Sequence, residues 1–428
     1  MTICVPDVGV ERVILPEPGA TGCRGPVPYA LSSAVAAATL TPAMDTRRAL
    51  FLLASGGFVS GLTMRVAEPL LPKVAHDFGV NVAAAAVLIT GFTLAYGLFQ
   101  LVHGPLGDKI GKLRAVTIAL LLTALACAAC AFASSLEMLA LCRFLTGMTA
   151  GAVIPLSFAL VGDNVAYEGR QALLGRFIAG NLLGQTFGPL LGGVFSDSIG
   201  WRATFLVPAA AFFVIGLLLI PLARAEGTAR LRRVGGGNPL RGYASLLRLR
   251  RVRIVLIAVA VEGFLFFGMF AYLGAYLQHD FGLSYTAIGF ILAGFGVGGV
   301  VYSVLVRVLL LRLGQRGLVG AGGGLLLTCF VVLALAASWA VCAVAITTLG
   351  LAFYMLHNTL QTHATEMAPE ARGSAVSAFA FCLFLGQTLG VSAMGLGIEH
   401  TGYRPLMGIT GLALAALAFW FRTRLVHL

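Results

Sequence analysis

The sequence contains few charged residues for its length. Asp, Glu, Lys and Arg make up 11% of its 428 residues, whereas 59% are hydrophobic, and ordinary soluble domains carry about 25% charged residues. A soluble globule could not cover its surface with so few charges. Apolar runs of about twenty residues, the length that a helix needs to cross a bilayer, recur along the chain. They predict an all-α polytopic membrane protein with about twelve spanning helices.

Sequence patterns for nucleotide, metal or catalytic chemistry are also lacking. The chain has no G-x-x-x-x-G-K-[ST] segment, and Gly294-x-Gly296-x-x-Gly299 lies in an apolar run with no preceding strand. Cys127-Ala-Ala-Cys130 has no neighbouring His and is interpreted as packing. We therefore expect no enzyme activity, no metal and no cofactor. An ion gradient, here a proton gradient, is the expected energy source.

The net charge of +12 could indicate a nucleic-acid partner. The Lys and Arg residues, however, lie in the short connections between apolar runs and form no single basic face. Because basic connections tend to stay in the cytoplasm, their distribution predicts cytoplasmic termini and a multi-pass protein of the plasma (cell inner) membrane, with no nucleic acid bound. The long basic connection before Arg253 is expected to lie against anionic lipid headgroups.

The chain repeats itself. Residues 168–205 recur without a gap as residues 370–407, and the repeat extends outward from there. Such duplication predicts two six-helix halves in the same orientation, with a binding site at the midplane where they meet. Residues common to both copies are interpreted as scaffold. Matched pairs include Gln185 and Gln387, Gly193 and Gly395, Asp197 and Glu399, Arg202 and Arg404, and, at an offset of 203, His76-Asp77 and His279-Asp280.

Four segments follow from this organisation. Residues 1–46 are predicted to be a disordered N-terminal extension, and our hypothesis is that Met44 is the true start of the native protein. Residues 47–223 form the predicted N-terminal six-helix bundle, residues 224–253 a basic cytoplasmic linker, and residues 254–428 the C-terminal six-helix bundle with a short tail.

The connection after the second predicted span reads GPLGDKIGKLR, from Gly104 to Arg114. Its glycines permit a tight turn, and Asp108 can face a helix N-terminus or a cation. This connection is similar to the signature loop of the major facilitator superfamily, and the resemblance extends over residues 47–424. The resemblance implies the fold of that superfamily and a secondary transporter that works by alternating access. It also implies that this connection acts as a conformational latch. The latch residues are Gly104, Asp108, Lys109, Gly111, Lys112 and Arg114; a solvated turn without a latch role is the alternative.

Two further segments resemble motifs of that superfamily. The fourth-span sequence Arg143-Phe144-Leu145-x-Gly147 is similar to one whose Arg is often assigned to proton coupling, and an Arg inside a membrane is by default functional. The alternative is an ion pair that only joins helices. The fifth span resembles the Gly-Pro motif of antiporters and predicts a helix pivot; packing of small residues alone is the alternative. The pivot residues are Gly184, Gly188, Pro189 and Gly192.

Other ionisable residues occur within the spans. Arg65 and Glu68 share one face of the first span, and Glu68 is expected within reach of Arg143. Glu262 lies near the middle of the seventh span, where a low dielectric makes a carboxyl easier to protonate. It is the predicted proton-coupling residue; a static, hydrogen-bonded core acid is the alternative. His357 and His363 show no metal-ligand spacing.

Neutral polar side chains supply the remaining candidate contacts to a substrate. Each of them has the alternative of a simple hydrogen bond between helices. They are Tyr96, Gln100, Asn181, Gln185, Tyr272, Tyr276, Asn358, Gln361 and Gln387.

The sequence thus predicts a proton-driven antiporter that exports small organic molecules, such as drugs or sugar-like metabolites, and acts as a monomer. Proton-coupled uptake is the alternative within the same class. A membrane-embedded enzyme and a non-transporting membrane sensor are the alternatives from other classes.

Overall fold

The computed structural model describes residues 46–165, 167–225 and 239–425. The predicted N-terminal extension and Met44 lie outside these residues, except for Thr46, where the first helix begins. The described segments contain helices and the turns that join them. The α-helices are Thr46–Arg65, Leu71–Phe78, Val82–Ala85, Val87–Ile110, Lys112–Ala131, Leu136–Ala150, Val153–Asn164, Tyr167–Ser198, Ala203–Ala225, Pro239–Leu246, Arg250–Glu262, Gly268–Phe270, Leu273–Phe281, Tyr285–Leu335, Trp339–Glu366, Arg372–Thr401 and Tyr403–Arg424.

Ten helical segments of the described chain are long and apolar enough to cross a membrane. One of them, Tyr285–Leu335, holds two spans, because Gly314 has non-helical angles (φ 63°, ψ 174°). Tyr167–Ser198, of 32 residues, is an additional long helix whose middle carries Asn181 and Gln185. The predicted all-helical fold with about twelve spans is confirmed.

The spans are numbered along the chain from here on. They are the first, Arg48–Phe78; second, Val82–Ile110; third, Lys112–Ala131; fourth, Leu136–Asn164; fifth, Tyr167–Ser198; sixth, Ala203–Ala225; seventh, Arg250–Phe281; eighth and ninth, the parts of Tyr285–Leu335 before and after Gly314; tenth, Trp339–Glu366; eleventh, Pro369–Thr401; and twelfth, Tyr403–Arg424. Spans one to six are the first half, and spans seven to twelve are the second half.

Turn geometry repeats between the two halves. All glycines with positive φ in the described chain fall into three pairs at the repeat offsets of 202 and 203. A left-handed φ favours glycine because other residues meet their own Cβ there. The pairs are Gly79 with Gly282 (φ 64° and 61°), Gly111 with Gly314 (96° and 63°), and Gly200 with Gly402 (98° and 81°).

These turns define the two ends of the bundle. The His-Asp end carries Gly79, Gly200, Gly282 and Gly402, next to the repeated His-Asp pairs. The basic end carries Gly111 and Gly314, among the Lys and Arg residues of the connections.

Helix interruptions occur next to two of the buried acids. The first span breaks after Arg65, and Glu68 opens a 3-10 turn, Glu68–Leu70, that contains Pro69. Proline cannot donate to the preceding helical turn, so the regular helix ends there. In the seventh span, Glu262 ends an α-helix and a π-helical turn, Gly263–Phe267, follows it. Such π turns are frequent at functional sites.

The three predicted pivot glycines lie along a close contact between the fifth and first spans, whereas the carbonyl of Pro189 faces Gly289 of the eighth span. A Cβ on Gly184, Gly188 or Gly192 would collide with a carbonyl oxygen of the first span. The second half uses the same device between its eleventh and seventh spans, where small residues let backbones approach. The contacts are Gly184 with Phe58, Gly188 with Leu62, Gly192 with Val66, Gly386 with Ala260 and Gly390 with Phe264.

The connection between the halves is described in part. Residues 226–238 of the predicted basic linker lie outside the described residues. The helix Pro239–Leu246 precedes the seventh span, which begins at Arg250.

Candidate functional site

A buried ion pair occupies the break in the first span. Arg65 Nη1 lies 2.5 Å from Glu68 Oε1, and the two residues are 4% and 2% exposed. The spacing of three residues places both side chains on one face. A charge buried in a low dielectric is stable only when it is paired, so removing either partner would leave the other uncompensated.

Amide side chains of the fifth span extend from this pair. Arg65 Nε donates to Gln185 Oε1 at 3.5 Å, and Gln185 Nε2 donates to Asn181 Oδ1 at 2.9 Å. Asn181 Nδ2 in turn donates to the carbonyl of Gly57, at 3.0 Å. The structure therefore brings two of the predicted polar residues, Asn181 and Gln185, to the Arg65 and Glu68 pair.

Arg65 also reaches the second half. Its guanidinium carbon lies 4.4 Å from the ring centroid of Phe267, 5.2 Å from that of Phe270 and 5.7 Å from that of Phe295. A cation over an aromatic face is attracted by the ring quadrupole, more strongly when water is excluded. The Arg65 guanidinium of the first half therefore lies on aromatic rings of the seventh and eighth spans.

A second buried pair joins the seventh and tenth spans. His357 Nδ1 lies 2.8 Å from Glu262 Oε2, and the Glu262 side chain is fully buried. The other oxygen, Glu262 Oε1, has no hydrogen-bond partner among residues that the structure describes. Glu262 thus has one oxygen held by His357 and the other available to carry a proton.

Two aromatic rings connect the pairs. The His357 ring stacks on Phe353 with centroids 4.9 Å apart and an interplanar angle of 15°. Phe353 in turn lies 5.1 Å from Phe267, the ring beneath Arg65. We call the residues of this continuous arrangement the central cluster. They are Arg65, Glu68, Phe267, Phe353, His357 and Glu262.

Arg143 lies outside the central cluster. Its Nε donates to the Leu88 carbonyl at 3.1 Å and its Nη1 to the Thr63 carbonyl at 3.2 Å. It is fully buried, with its guanidinium carbon 4.3 Å from the Phe92 ring centroid. The expected contact between Glu68 and Arg143 is not formed, because Glu68 pairs with Arg65. Arg143 instead joins the first, second and fourth spans through backbone acceptors.

Tyr96 and Tyr272 are buried in helix contacts. Tyr96 packs between Phe92, at 5.6 Å, and Phe384 of the second half, at 4.8 Å. The Tyr272 hydroxyl donates to the Val391 carbonyl at 2.8 Å, so its one donor is used within the second half.

The other predicted polar residues lie elsewhere. Gln387 is buried beside Gly263, and Gln100 is half-buried in the second span. The Tyr276 hydroxyl donates to the Leu333 carbonyl at 2.8 Å, and Asn358 Nδ2 donates to the Tyr302 hydroxyl at 3.0 Å.

His357 was missed as a functional residue in the sequence. Its position inside a long apolar run is the signal that could have identified it, because ionisable residues within spans are functional by default. Its partner Glu262 is 95 residues away in the chain. Only the packing of the seventh against the tenth span reveals that they pair.

The predicted latch differs from expectation at its start. Gly104 and Asp108 are helical, the second span continues to Ile110, and the turn is Gly111 alone (φ 96°). The connection expected from Gly104 to Arg114 is therefore shorter than predicted: the helix continues past Pro105, which has no N–H to donate, and one glycine of the segment, Gly111, makes the turn.

Charged latch residues contact the first half. Lys112 Nζ lies 2.6 Å from Asp163 and 3.8 Å from Asp108, and Arg114 Nε donates to the Ala223 carbonyl at 3.1 Å. Lys109 is exposed at the basic end. The contacts of Lys112 and Arg114 reach the fourth and sixth spans.

Comparisons with known proteins agree on one family. A family model described as Major Facilitator Superfamily matches residues 53–391 and, in a second match, residues 280–427. The uncharacterised MFS-type transporter YwfA of Bacillus subtilis is 29% identical over 385 residues, which cover 86% of this chain and 89% of that protein. The multidrug export protein EmrB of Escherichia coli is 27% identical over 176 residues, covering 41% and 34%.

A solved structure shows the same fold. It is that of a bacterial homologue of the human lysosomal transporter Spinster, in an inward-facing and unoccupied conformation. It aligns with a TM-score of 0.75 at 16% identity and covers 90% of this chain and 97% of that one.

Proposed function

Because the chain belongs to the major facilitator superfamily of transporters, we propose that it exports small organic molecules in exchange for protons through its central cluster. The chain is a multi-pass membrane transporter and not an enzyme. Coupling to protons, the direction of transport and the substrate class are the proposal.

The Glu262 and His357 contact carries the proposal. A buried carboxylate with one oxygen bound to His357 and one unpartnered oxygen can accept a proton without rearranging its neighbours. Protonation removes the negative charge that holds His357, which weakens the link between the seventh and tenth spans. Ionisable residues in such positions mark proton pathways in transporters.

Arg65 and Glu68 are placed to transmit that change to the other half. Arg65 rests on Phe267, and Phe267 contacts Phe353 beneath the His357 ring. A shift of His357 therefore reaches the first half through two ring contacts. In this scheme Arg143 is a positioning residue, since its Nε and Nη1 bind backbone carbonyls.

The substrate class follows from the side chains around the cluster. Aromatic faces suit flat apolar groups, and Asn181 and Gln185 offer amide hydrogen bonds once Gln185 leaves Arg65. Export agrees with the name of the EmrB relative, a multidrug export protein. We further propose that the basic end faces the cytoplasm, by the distribution of Lys and Arg.

Reconstituted vesicles test the proposal. The purified protein is placed in vesicles with an imposed pH gradient, and uptake and release of aromatic dyes and sugars are followed. We expect dye movement against the direction of proton flow, and loss of gradient-driven transport in Glu262→Gln. Glu137→Gln, which removes an exposed carboxylate at the His-Asp end, is the matched control.

Each outcome distinguishes one alternative. Movement with the proton flow would indicate uptake by symport. Transport that ignores the pH gradient would overturn proton coupling. Absence of transport across the library in a folded protein would favour a sensor.

A further inference from the structure

Two carboxylates of the repeated segments cross from one half of the molecule to the other. Asp197, at the end of the fifth span, accepts hydrogen bonds from the backbone N–H groups of Tyr285 at 3.3 Å and Thr286 at 2.6 Å. These N–H groups begin the eighth span. Free N–H groups give a helix N-terminus a partial positive charge, which a carboxylate stabilises.

Glu399 occupies the corresponding position in the second half. Its Oε1 accepts a hydrogen bond from Asn81 Nδ2 at 2.5 Å. Asn81 is the N-cap of the helix that begins the second span, and its Oδ1 accepts from Ala84 N at 2.7 Å. Both acids therefore bind the first turn of a helix in the opposite half, one directly and one through the capping residue.

A glycine precedes each acid by four residues and contacts the same partner span. A Cβ on Gly193 would collide with the Tyr285 carbonyl. A Cβ on Gly395 would collide with the Tyr272 hydroxyl of its own half and would lie 3.0 Å from the Ala83 Cβ of the opposite half. Residues four apart share one helix face. In both halves, then, one face carries a glycine in close contact with the opposite half and a carboxylate that reaches across.

The neighbouring repeated polar residues stay within their own half. Trp201 Nε1 donates to Asp77 at 2.8 Å in the first half, and Arg404 Nε donates to Asp280 at 2.8 Å in the second. These bonds hold each half together at the His-Asp end. They differ from the bonds of Asp197, which join the two halves.

We propose that Asp197 and Glu399 are paired latches that hold the His-Asp end of the transporter closed in this conformation. Both carboxylates are exposed, and an exposed carboxylate at a helix N-terminus shifts an equilibrium only about two- to fivefold. Two such bonds give about a four- to twenty-fivefold bias when they act independently. A bias of this size favours closure and still lets the end open once per transport cycle.

Pulsed electron–electron spin resonance tests the latches. Spin labels are attached to cysteines replacing His76 and His279, exposed residues at the His-Asp end of opposite halves. Asp197→Asn and Glu399→Gln are each expected to raise the ratio of long to short label distances about two- to fivefold. The double variant is expected to raise it about four- to twenty-fivefold.

Controls separate a latch from general damage. Asp197→Glu, which keeps the charge, is expected to restore most of the short distances. Glu137→Gln, which removes an exposed carboxylate at the same end, is expected to leave the label distances unchanged. An unaltered distance distribution in the folded double variant would overturn the proposal. So would an equal change in Glu137→Gln. Because label distances need no substrate and no pH gradient, this result is independent of whether transport is proton-coupled.

Discussion

His357 Nδ1 lies 2.8 Å from Glu262 Oε2, and this buried polar contact joins the tenth span to the seventh. Removing one partner of a buried pair costs more than removing both, because the remaining charge or donor stays buried without compensation. The two residues should therefore behave as one unit in stability as well as in transport.

A double-mutant cycle measures that unit. His357→Leu and Glu262→Gln are each expected to lower the thermal unfolding temperature in detergent. Together they should lower it by clearly less than the sum, with a coupling of about 1–3 kcal/mol. Strictly additive losses would show that the contact contributes nothing to the folded protein.

Arg65→Lys distinguishes the role of the ion pair with Glu68 from the role of the guanidinium contact with the Phe267 ring. Lysine keeps an ion pair with Glu68 but loses the flat guanidinium that lies on Phe267. We expect this contact to stabilise the transition state of the conformational change by about 1 kcal/mol, so that its loss lowers the transport rate about fivefold. Dye transport in vesicles measures the rate.

Arg202→Lys is the matched control for this change. Arg202 also lies on an aromatic ring, Trp201 at 4.4 Å, but within one half and at the His-Asp end. We expect its lysine variant to keep the transport rate. Equal rates in the two variants would contradict a role for Arg65 in communication between the halves.

Gly184→Ala tests the close contact of the fifth with the first span. The added methyl group would overlap the Phe58 carbonyl, and overpacking of this kind costs about 1–3 kcal/mol. A lower unfolding temperature is expected. Gly175→Ala, on the same helix with open space around it, should keep or raise that temperature, since alanine favours a helix by up to about 1 kcal/mol. A Gly184→Ala protein as stable as the wild type would exclude the tight contact.

Arg143→Lys distinguishes a positioning role from a proton-coupling role. A lysine cannot reproduce the fork that donates to both Leu88 and Thr63. Unfolding should become easier by about 1–3 kcal/mol, the cost of a buried unsatisfied group. The pH dependence of the remaining transport should be unchanged. Normal stability with lost pH dependence would place Arg143 on the proton path.

Much of the fold could be predicted from the sequence because it depends on local properties. Apolar length sets the spans, and the six positive-φ glycines recur at the repeat offset, because each turn needs only its own backbone angle. The latch segment was harder, since the GPLGDKIG sequence suggests a turn whereas the helix continues through Pro105 to Ile110.

The candidate site was predicted only in part. Arg65, Glu68 and Glu262 are visible in the sequence as charges within apolar runs. The pairing of Glu262 with His357 was not visible in the sequence. Arg143 binds backbone carbonyls, which every residue type supplies, so the sequence could not identify its partners. Asp197 and Glu399 belong to the repeated segments that were interpreted as scaffold, and nothing local shows that they cross between halves.

The sequence by itself determined that the chain spans a membrane about twelve times, that its two halves are copies, and which residues place charge within the spans. Only the tertiary structure decided which charges pair. Arg65 pairs with Glu68 and lies on the ring of Phe267, and Glu262 pairs with His357. Asp197 and Glu399 bind residues of the opposite half. The physical reason is that burial and apolar length are properties of one segment, whereas a side-chain contact depends on how helices far apart in the chain pack together.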